Sequence, residues 1–423
     1  MKKNGYLVYL IIACLLLFGC KQAKDTIFSD TSFEGSEIID IGSIDANSIL
    51  KYSEIFESVS FVRLETHDSA LIGSIDKIVV ADNKFVILDE TSAKMVFVFD
   101  NNGKFLNRIG SIGEGPEEYK RPDDIVYDKY KDELLVWSND DKSIFQFKLD
   151  GTFLGKIKTK FWGAPIAVAD TNTYLLKISS SNSHNIVVVN EKGDILSQLF
   201  PFNKDTERLD VISMFAPYQN ELLFTQYYNN TVFTVNKDKM KAKYYVDFHK
   251  HNIPVSSFSD VTHKELRNII VDNDYAFIIR FMETSSHAVL QYVYKGIIFD
   301  GYYSKTTKIL KTSGRYLNDM YALCNVKTFI YTNNDSLISF VEPQAFTYYQ
   351  NLLKNGDKNN IKDLLQKNLQ MAPAAEIISD KYRKNYLKTL ESANLKLTDE
   401  EIDFINSISE FDNPILWIAT LKK

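Results

Sequence analysis

All-β is the fold class that this sequence predicts, and three observations predict it. An apolar strand runs into a short polar turn and returns as a second strand five times, at Met95–Ile109, Phe145–Ile157, Asn185–Leu199, Val232–Val246 and Gly296–Leu310. Each hairpin is the second half of a longer unit of four strands, and the unit starts near residues 76, 124, 165 and 211 give a period of about 40 to 50 residues. Aromatic residues reach 13% of the chain, with 28 Phe and 24 Tyr, as strand-rich cores require. Four strands per unit at that period describe propeller blades. The expected architecture is a six-bladed β-propeller with a C-terminal helical insertion before the closing strand.

The chain opens with an export signal. Lys2 and Lys3 precede an apolar stretch, Leu7–Phe18, that is shorter than the ~20 residues needed to span a bilayer as a helix. Leu17, Gly19 and Cys20 close it in a pattern that resembles the bacterial lipoprotein signal. That resemblance implies a signal peptide over 1–19, lipidation at Cys20, a lipidated N-terminus and tether over 20–50, and a lipid-anchored place in the cell envelope, at the outer membrane, whose acyl chains hold the protein to the bilayer. Cys14 leaves with the signal and Cys20 is acylated, so Cys324 alone remains in the body and no intrachain disulfide forms. Within Met-Tyr-Ala-Leu-Cys-Asn-Val, Cys324 reads as a buried small hydrophobe. The net charge of −6 speaks against polyanions, and nucleic acid is excluded as a partner.

The body, 51–423, divides into units in order. Asp-Asn, Glu-Thr-Ser-Ala and Asn-Asn-Gly separate the four strands of the first unit, the turn formers expected between antiparallel neighbours. The same order returns over Asp124–Lys158, Pro165–Phe200, Val211–Phe248 and, more loosely, Ala276–Thr312. A sixth unit reads as Asp319–Asn325, Phe329–Asn334 and Ser336–Pro343 with no fourth strand. A ring with an open blade leaves unpaired edges, so the orphan strand Val59–Thr66 is expected to complete blade six. Pro414–Lys423 competes for that place, and the two can pair there. Helical spacing over Ala345–Gln370 and Asp380–Ser392, and Thr398 with Glu401 as a capping box, place the insertion at about 345–408, packed on one rim.

The loop Gly110-Ser-Ile-Gly-Glu-Gly-Pro-Glu-Glu-Tyr119, continued by Lys120-Arg-Pro-Asp-Asp-Ile125, resembles the six-bladed propeller lipoproteins of Bacteroides-type bacteria, relatives of the NHL-repeat propellers. Val62-Arg-Leu-Glu-Thr66, Asp100-Asn-Asn-Gly103 and Asp412-Asn-Pro-Ile-Leu416 extend the likeness over roughly 55–423. It implies fold and location, and no activity. The Gly-Glu-Gly-Pro run gives backbone freedom and then a fixed φ, which suits a tight crossing between blades. Pro116 and the strand-forming run after it rule out a dinucleotide-binding loop, which needs a helix there.

Candidate ligand-binding residues come from the loops. Glu114, Tyr119 and Arg121 lie in the first crossing, and Trp162, in Lys-Phe-Trp-Gly-Ala, offers a flat ring for sugar stacking. His184 lies in a polar loop, and Tyr227 heads Tyr-Tyr-Asn-Asn; Tyr302-Tyr303 is a similar aromatic pair. His249-Lys-His251 has the spacing to share an ion on a strand, yet no carboxylate-rich loop accompanies it, and no metal ligand is assigned. Asp123-Asp124 and Asp140-Asp141 read as turn and strand-start residues. No catalytic residue and no cofactor is assigned. The function expected is a membrane-anchored module binding a glycan, a peptide or an envelope protein. The alternatives are a propeller enzyme, a metal-assisted hydrolase or lyase on carbohydrate or lactone, and a structural subunit of an envelope complex.

Overall fold

The computed structural model describes residues 35–178, 183–201, 212–259, 261–321, 329–355, 362, 365, 380–393, 395 and 397–423. The segment read as a signal peptide, Cys20 and Cys324 lie outside the described residues. Six sheets form the ring. Blade 1 is Lys77–Ala81, Lys84–Asp89, Met95–Phe99 and Phe105–Ile109; blade 2 runs from Asp124 to Lys158 and blade 3 from Ile166 to Pro201. Blade 4 runs from Ser213 to Asp247 and blade 5 from Ala276 to Ser313. Each is an antiparallel meander whose first strand is innermost, and its second and third strands are apolar on both faces because they pack between neighbouring blades.

Blade 6 is assembled from three separated segments. Tyr331–Asn333 is its inner strand, Ser336–Val341 its second, Ile415–Leu421 its third, and Phe56–Arg63 its outer strand. The two competing closers are thus both used, paired antiparallel with Leu416 opposite Val62 and Trp417 opposite Phe61. The inner strand is thus the segment expected as the second, and of Asp319–Asn325, expected in that place, residues 322–325 lie outside the described residues. The apolar stretch at Phe329–Asn334 is the run that reaches a hairpin turn, Asn333–Ser336, and the turn sets the register.

The segment read as tether through residue 50 is part of the body from Glu37 onward. Glu37–Asp40 adds a fifth, parallel strand to the outer edge of blade 4, with Glu37 opposite Tyr244. Glu37 accepts from Tyr303 Oη and Lys308 Nζ, both at 2.6 Å, and Asp40 Oδ1 lies 2.6 Å from His249 Nε2. Leu50–Lys51 pairs with Tyr316–Leu317.

Among the described residues four helices decorate the ring. Helix α1, His263–Asp272, lies between blades 4 and 5, and its capping box of Thr262 and Glu265 escaped the reading of the sequence. Helices α2 (Pro343–Asn355), α3 (Asp380–Ser392) and α4 (Asp399–Asn406) form the expected insertion, between the second and third strands of blade 6. Thr398 and Glu401 cap α4 reciprocally, with Thr398 N–H donating to Glu401 Oε2 at 2.7 Å and Glu401 N–H to Thr398 Oγ1 at 3.1 Å. Phe346, Leu353, Tyr386, Leu390 and Ile405 share one core with Tyr52, Phe56 and Trp417, so the helices belong to the ring.

The three shorter motifs of the family resemblance meet at the seam between blades 6 and 1. Arg63 pairs with Asp412 at 2.9 Å, and Glu65 accepts from Phe105 N–H at 2.8 Å. Buried Asn413 accepts from Ile72 N–H at 2.9 Å and donates to Glu65 O at 2.8 Å. Gly103 sits so close that a Cβ would lie 2.0 Å from Arg63 O. At Gly193 a Cβ would lie 1.9 Å from Lys158 O, so the hairpin turn of one blade seats against the end of the previous outer strand. These residues latch the ring shut.

Candidate ligand-binding face

Strand direction sorts the loops. Turns between second and third strands, and crossings from one blade to the next, fall at the end of the ring where the inner strands begin. Glu114, Arg121 and Trp162 lie on such crossings, and His184 and Tyr227 lie on or beside such turns. The helical insertion rises from the same end. Five of the six candidates therefore share one face, although no hydrogen bond or ion pair joins any two of them among the described residues.

Tyr119, the sixth, is a correction. Its ring is fully buried, its hydroxyl donates to Ile109 O at 2.7 Å, and a Cβ on Gly110 would lie 2.6 Å from it. Burial raises its pKa to well above that of a free phenol. It is the wedge of the blade 1 to blade 2 crossing and beyond the reach of a ligand. Nearby, Glu118 Oε2 accepts from Gly115 N–H at 2.9 Å, which folds the loop on itself and leaves Glu114 exposed.

The mouth of the ring on this face is a charged cluster built on inner-strand starts. Lys77 Nζ lies 2.7 Å from Asp124 Oδ1, and Asp124 Oδ2 accepts from Ile166 N–H at 2.8 Å, so one buried carboxylate ties together blades 1, 2 and 3. Arg121 Nε donates to Asp123 Oδ1 at 2.8 Å, while Asp123 Oδ2 accepts from Asn139 N–H at 2.6 Å. The bond to Asp123 raises the Arg121 pKa. Asp141 Oδ2 accepts from Lys120 N–H at 2.8 Å. These aspartates are structural pins, as turn chemistry predicts. Glu90 differs, because burial and then the Asp123 charge raise its pKa and no hydrogen bond reaches its carboxylate among the described residues. It was missed in the sequence, where it reads as a turn residue.

Trp162 is 54% exposed, and Lys142 Nζ stands 3.4 Å from its ring centroid. Asn139 Oδ1 accepts from Gly163 N–H at 2.8 Å and fixes the loop beside it. His184 Nδ1 lies 2.9 Å from Ser183 Oγ. Tyr227 packs against Phe277 at 6.0 Å, and burial raises its pKa. Tyr302 and Tyr303 are core residues of blade 5.

His249 and His251 fall in a short 3-10 turn, not a strand, and their rings part company. The first meets Asp40, and the second meets Asp274 O at 2.7 Å and Tyr294. Among the described residues no group of three or more His, Cys, Asp or Glu is placed to hold a metal ion. Nor is any described helix long and apolar enough to cross a membrane.

The fold is shared with solved structures. A protein of Bacteroides fragilis described as exported is similar at 18% identity and a TM-score of 0.65, over 91% of this chain and 100% of that one. A member of the duf4221 family from Bacteroides vulgatus is similar at 11% identity and a TM-score of 0.47, over 67% and 91%. A catalytically inactive virginiamycin B lyase from Staphylococcus aureus is similar at 13% identity and a TM-score of 0.38, over 60% and 74%. No curated protein matches the chain. One family model, described as Domain of unknown function (DUF4934), matches residues 36–375, from the added strand of blade 4 into the helical insertion, and the chain belongs to that family of Bacteroides-type six-bladed propellers.

Proposed function

We propose that the protein is a lipid-anchored binding module of the cell envelope that takes a glycan on the face described above. The observation that carries this reading is Trp162. A large apolar ring held in the open by a fixed loop, with a cation on its face, offers flat contact area beside hydrogen-bond donors, the pairing that sugar rings use. The loops around it come from several blades, where propellers gather binding groups. The first described strand supports the orientation. Glu37 is held by Lys308 in the turn between the third and fourth strands of blade 5, at the opposite end from the mouth. A tether leaving there turns the mouth away from the bilayer.

A thermal-shift screen of soluble protein against neutral and acidic glycans tests the ligand. A binding glycan raises the melting temperature, and Trp162→Ala weakens its binding about tenfold, which corresponds to ~1.4 kcal/mol, while unliganded stability is unchanged. No response to any glycan, or equal binding by the variant, refutes the reading. The anchor rests on Cys20. Cys20→Ser moves the protein from the membrane to the soluble fraction, and a variant that stays with the membrane refutes lipidation.

A further inference from the structure

Arg280 lies in the middle of the inner strand of blade 5, in a run, Ala-Phe-Ile-Ile-Arg-Phe-Met, that is otherwise apolar. The strand bulges between Ile278 and Arg280, which re-aims the side chain that follows. Arg280 stands opposite Gln291. Gln291 Nε2 in turn donates to Asp300 Oδ1 at 2.6 Å, so the nearest buried carboxylate is already engaged. Among the described residues no hydrogen bond and no ion pair reaches the Arg280 guanidinium. Burial lowers its pKa, and Tyr227 and Asp300 are the two groups whose charges bear on it.

Arg280 is part-exposed, and a guanidinium keeps its proton, so its donors stay charged and open to an anion. The second donor comes from the neighbouring blade. Tyr227 packs on Phe277, three residues before Arg280 on the same strand, and Arg280 is the charged group that bears on it. Its hydroxyl has no hydrogen-bond partner among the described residues. Two donors, one cationic and one neutral and both without a partner among the described residues, thus lie close together where blade 4 meets the inner strand of blade 5.

We propose that Arg280 and Tyr227 form a subsite for an organic carboxylate inside the ring. A carboxylate matches the guanidinium fork in two parallel bonds and leaves a lone pair for the phenol. Asp300 nearby disfavours a dianion, so a singly charged group fits better than a phosphate. The subsite rests on the reading of this face as a binding face, and it adds the charge of the ligand.

The test uses full-length protein carrying Cys20→Ser, at matched ionic strength. Without ligand, Arg280→Met melts at or near the parent temperature, because it removes a part-exposed cation that no described residue pairs; a fall of several degrees would show the guanidinium to be satisfied by the fold and overturn the proposal. Galacturonate is then compared with galactose, and acetyl-alanine with its amide, to separate a sugar acid from a peptide terminus. At least one carboxylate raises the melting temperature above its neutral partner. Arg280→Met abolishes that rise, and Tyr227→Phe, which keeps the ring, reduces the affinity several-fold. A carboxylate response that survives in Arg280→Met, or none in the parent, overturns the subsite. A neutral glycan that binds through Trp162 in every variant leaves the broader reading standing and sinks the subsite alone.

Discussion

Trp417→Ala melts well below the parent protein, by roughly 6–10 °C, because it removes about 3–5 kcal/mol of stability at about 2 °C per kcal/mol. Trp417 is fully buried in the third strand of blade 6, against Tyr52 at 5.5 Å, Phe56 at 5.8 Å and Phe329 at 5.4 Å. Those rings come from the segment preceding the outer strand, from that strand itself and from the approach to the inner strand, and Phe56 goes on to meet Tyr302 of blade 5 at 5.8 Å. The indole is therefore where the three parts of blade 6 and the neighbouring blade meet. Among the described residues its Nε1 has no hydrogen-bond partner, so its contribution is packing. Trp417→Phe keeps much of that packing and is expected to lose less than half as much. Thermal and urea unfolding measure both variants, and a shift of under about 2 °C for the alanine variant would show that closure rests on other contacts.

Asp89→Ala is expected to cost about 3 kcal/mol, since it removes a buried carboxylate that four part-buried backbone donors share, and hydrogen bonds to a charged group contribute about 1.5–3 kcal/mol each before water replaces them. Asp89 is fully buried at the end of the second strand of blade 1. Its Oδ2 accepts from Gly73 N–H at 2.7 Å and Ser74 N–H at 3.0 Å, and its Oδ1 from Ser92 N–H at 2.8 Å and Ala93 N–H at 2.9 Å. One carboxylate thereby joins the seam loop to the turn that carries Glu90 to the mouth. Asp89→Asn is the informative comparison. It is nearly isosteric, but it turns an NH2 toward two of the donors and so is expected to recover little. Equal stability of the asparagine variant and the parent would contradict the four-donor account.

Blades 1 to 5 were legible because each is continuous in sequence, and its hairpin turns and paired apolar runs sit a few residues apart. Blade 6 was not, because its strands come from three places and no local signal says that Ile415–Leu421 follows Ser336–Val341. The added strand at Glu37–Asp40 was hidden for another reason. Four residues, Glu-Ile-Ile-Asp, attached to no hairpin, carry too little pattern to stand out from a polar tether. On the site, loop position was readable and burial was not. Trp162 and Tyr119 are both aromatic loop residues next to or near glycine, and only packing shows that one is displayed and the other wedged. Arg280 left a signal that could have been used, a lone cation inside an apolar inner-strand run. Its meaning depends on what the partners across the sheet are doing, and Gln291 and Asp300 lie too far along the chain to show that.

The pairing of Leu416 with Val62 sets an order on the making of this molecule. A chain delivered from its N-terminus presents Phe56–Arg63 before the five continuous blades, yet its ladder partner among the described residues, Ile415–Leu421, emerges after all of them. Blades 1 to 5 can stack as they appear, each against the one before. The first strand must wait beside them with its edge unpaired until the C-terminal strand arrives, and joining ends so far apart carries the largest loop-closure cost in the fold. Ring closure therefore necessarily follows the synthesis of all six blades, and a closed ring reports that every one of them has been made.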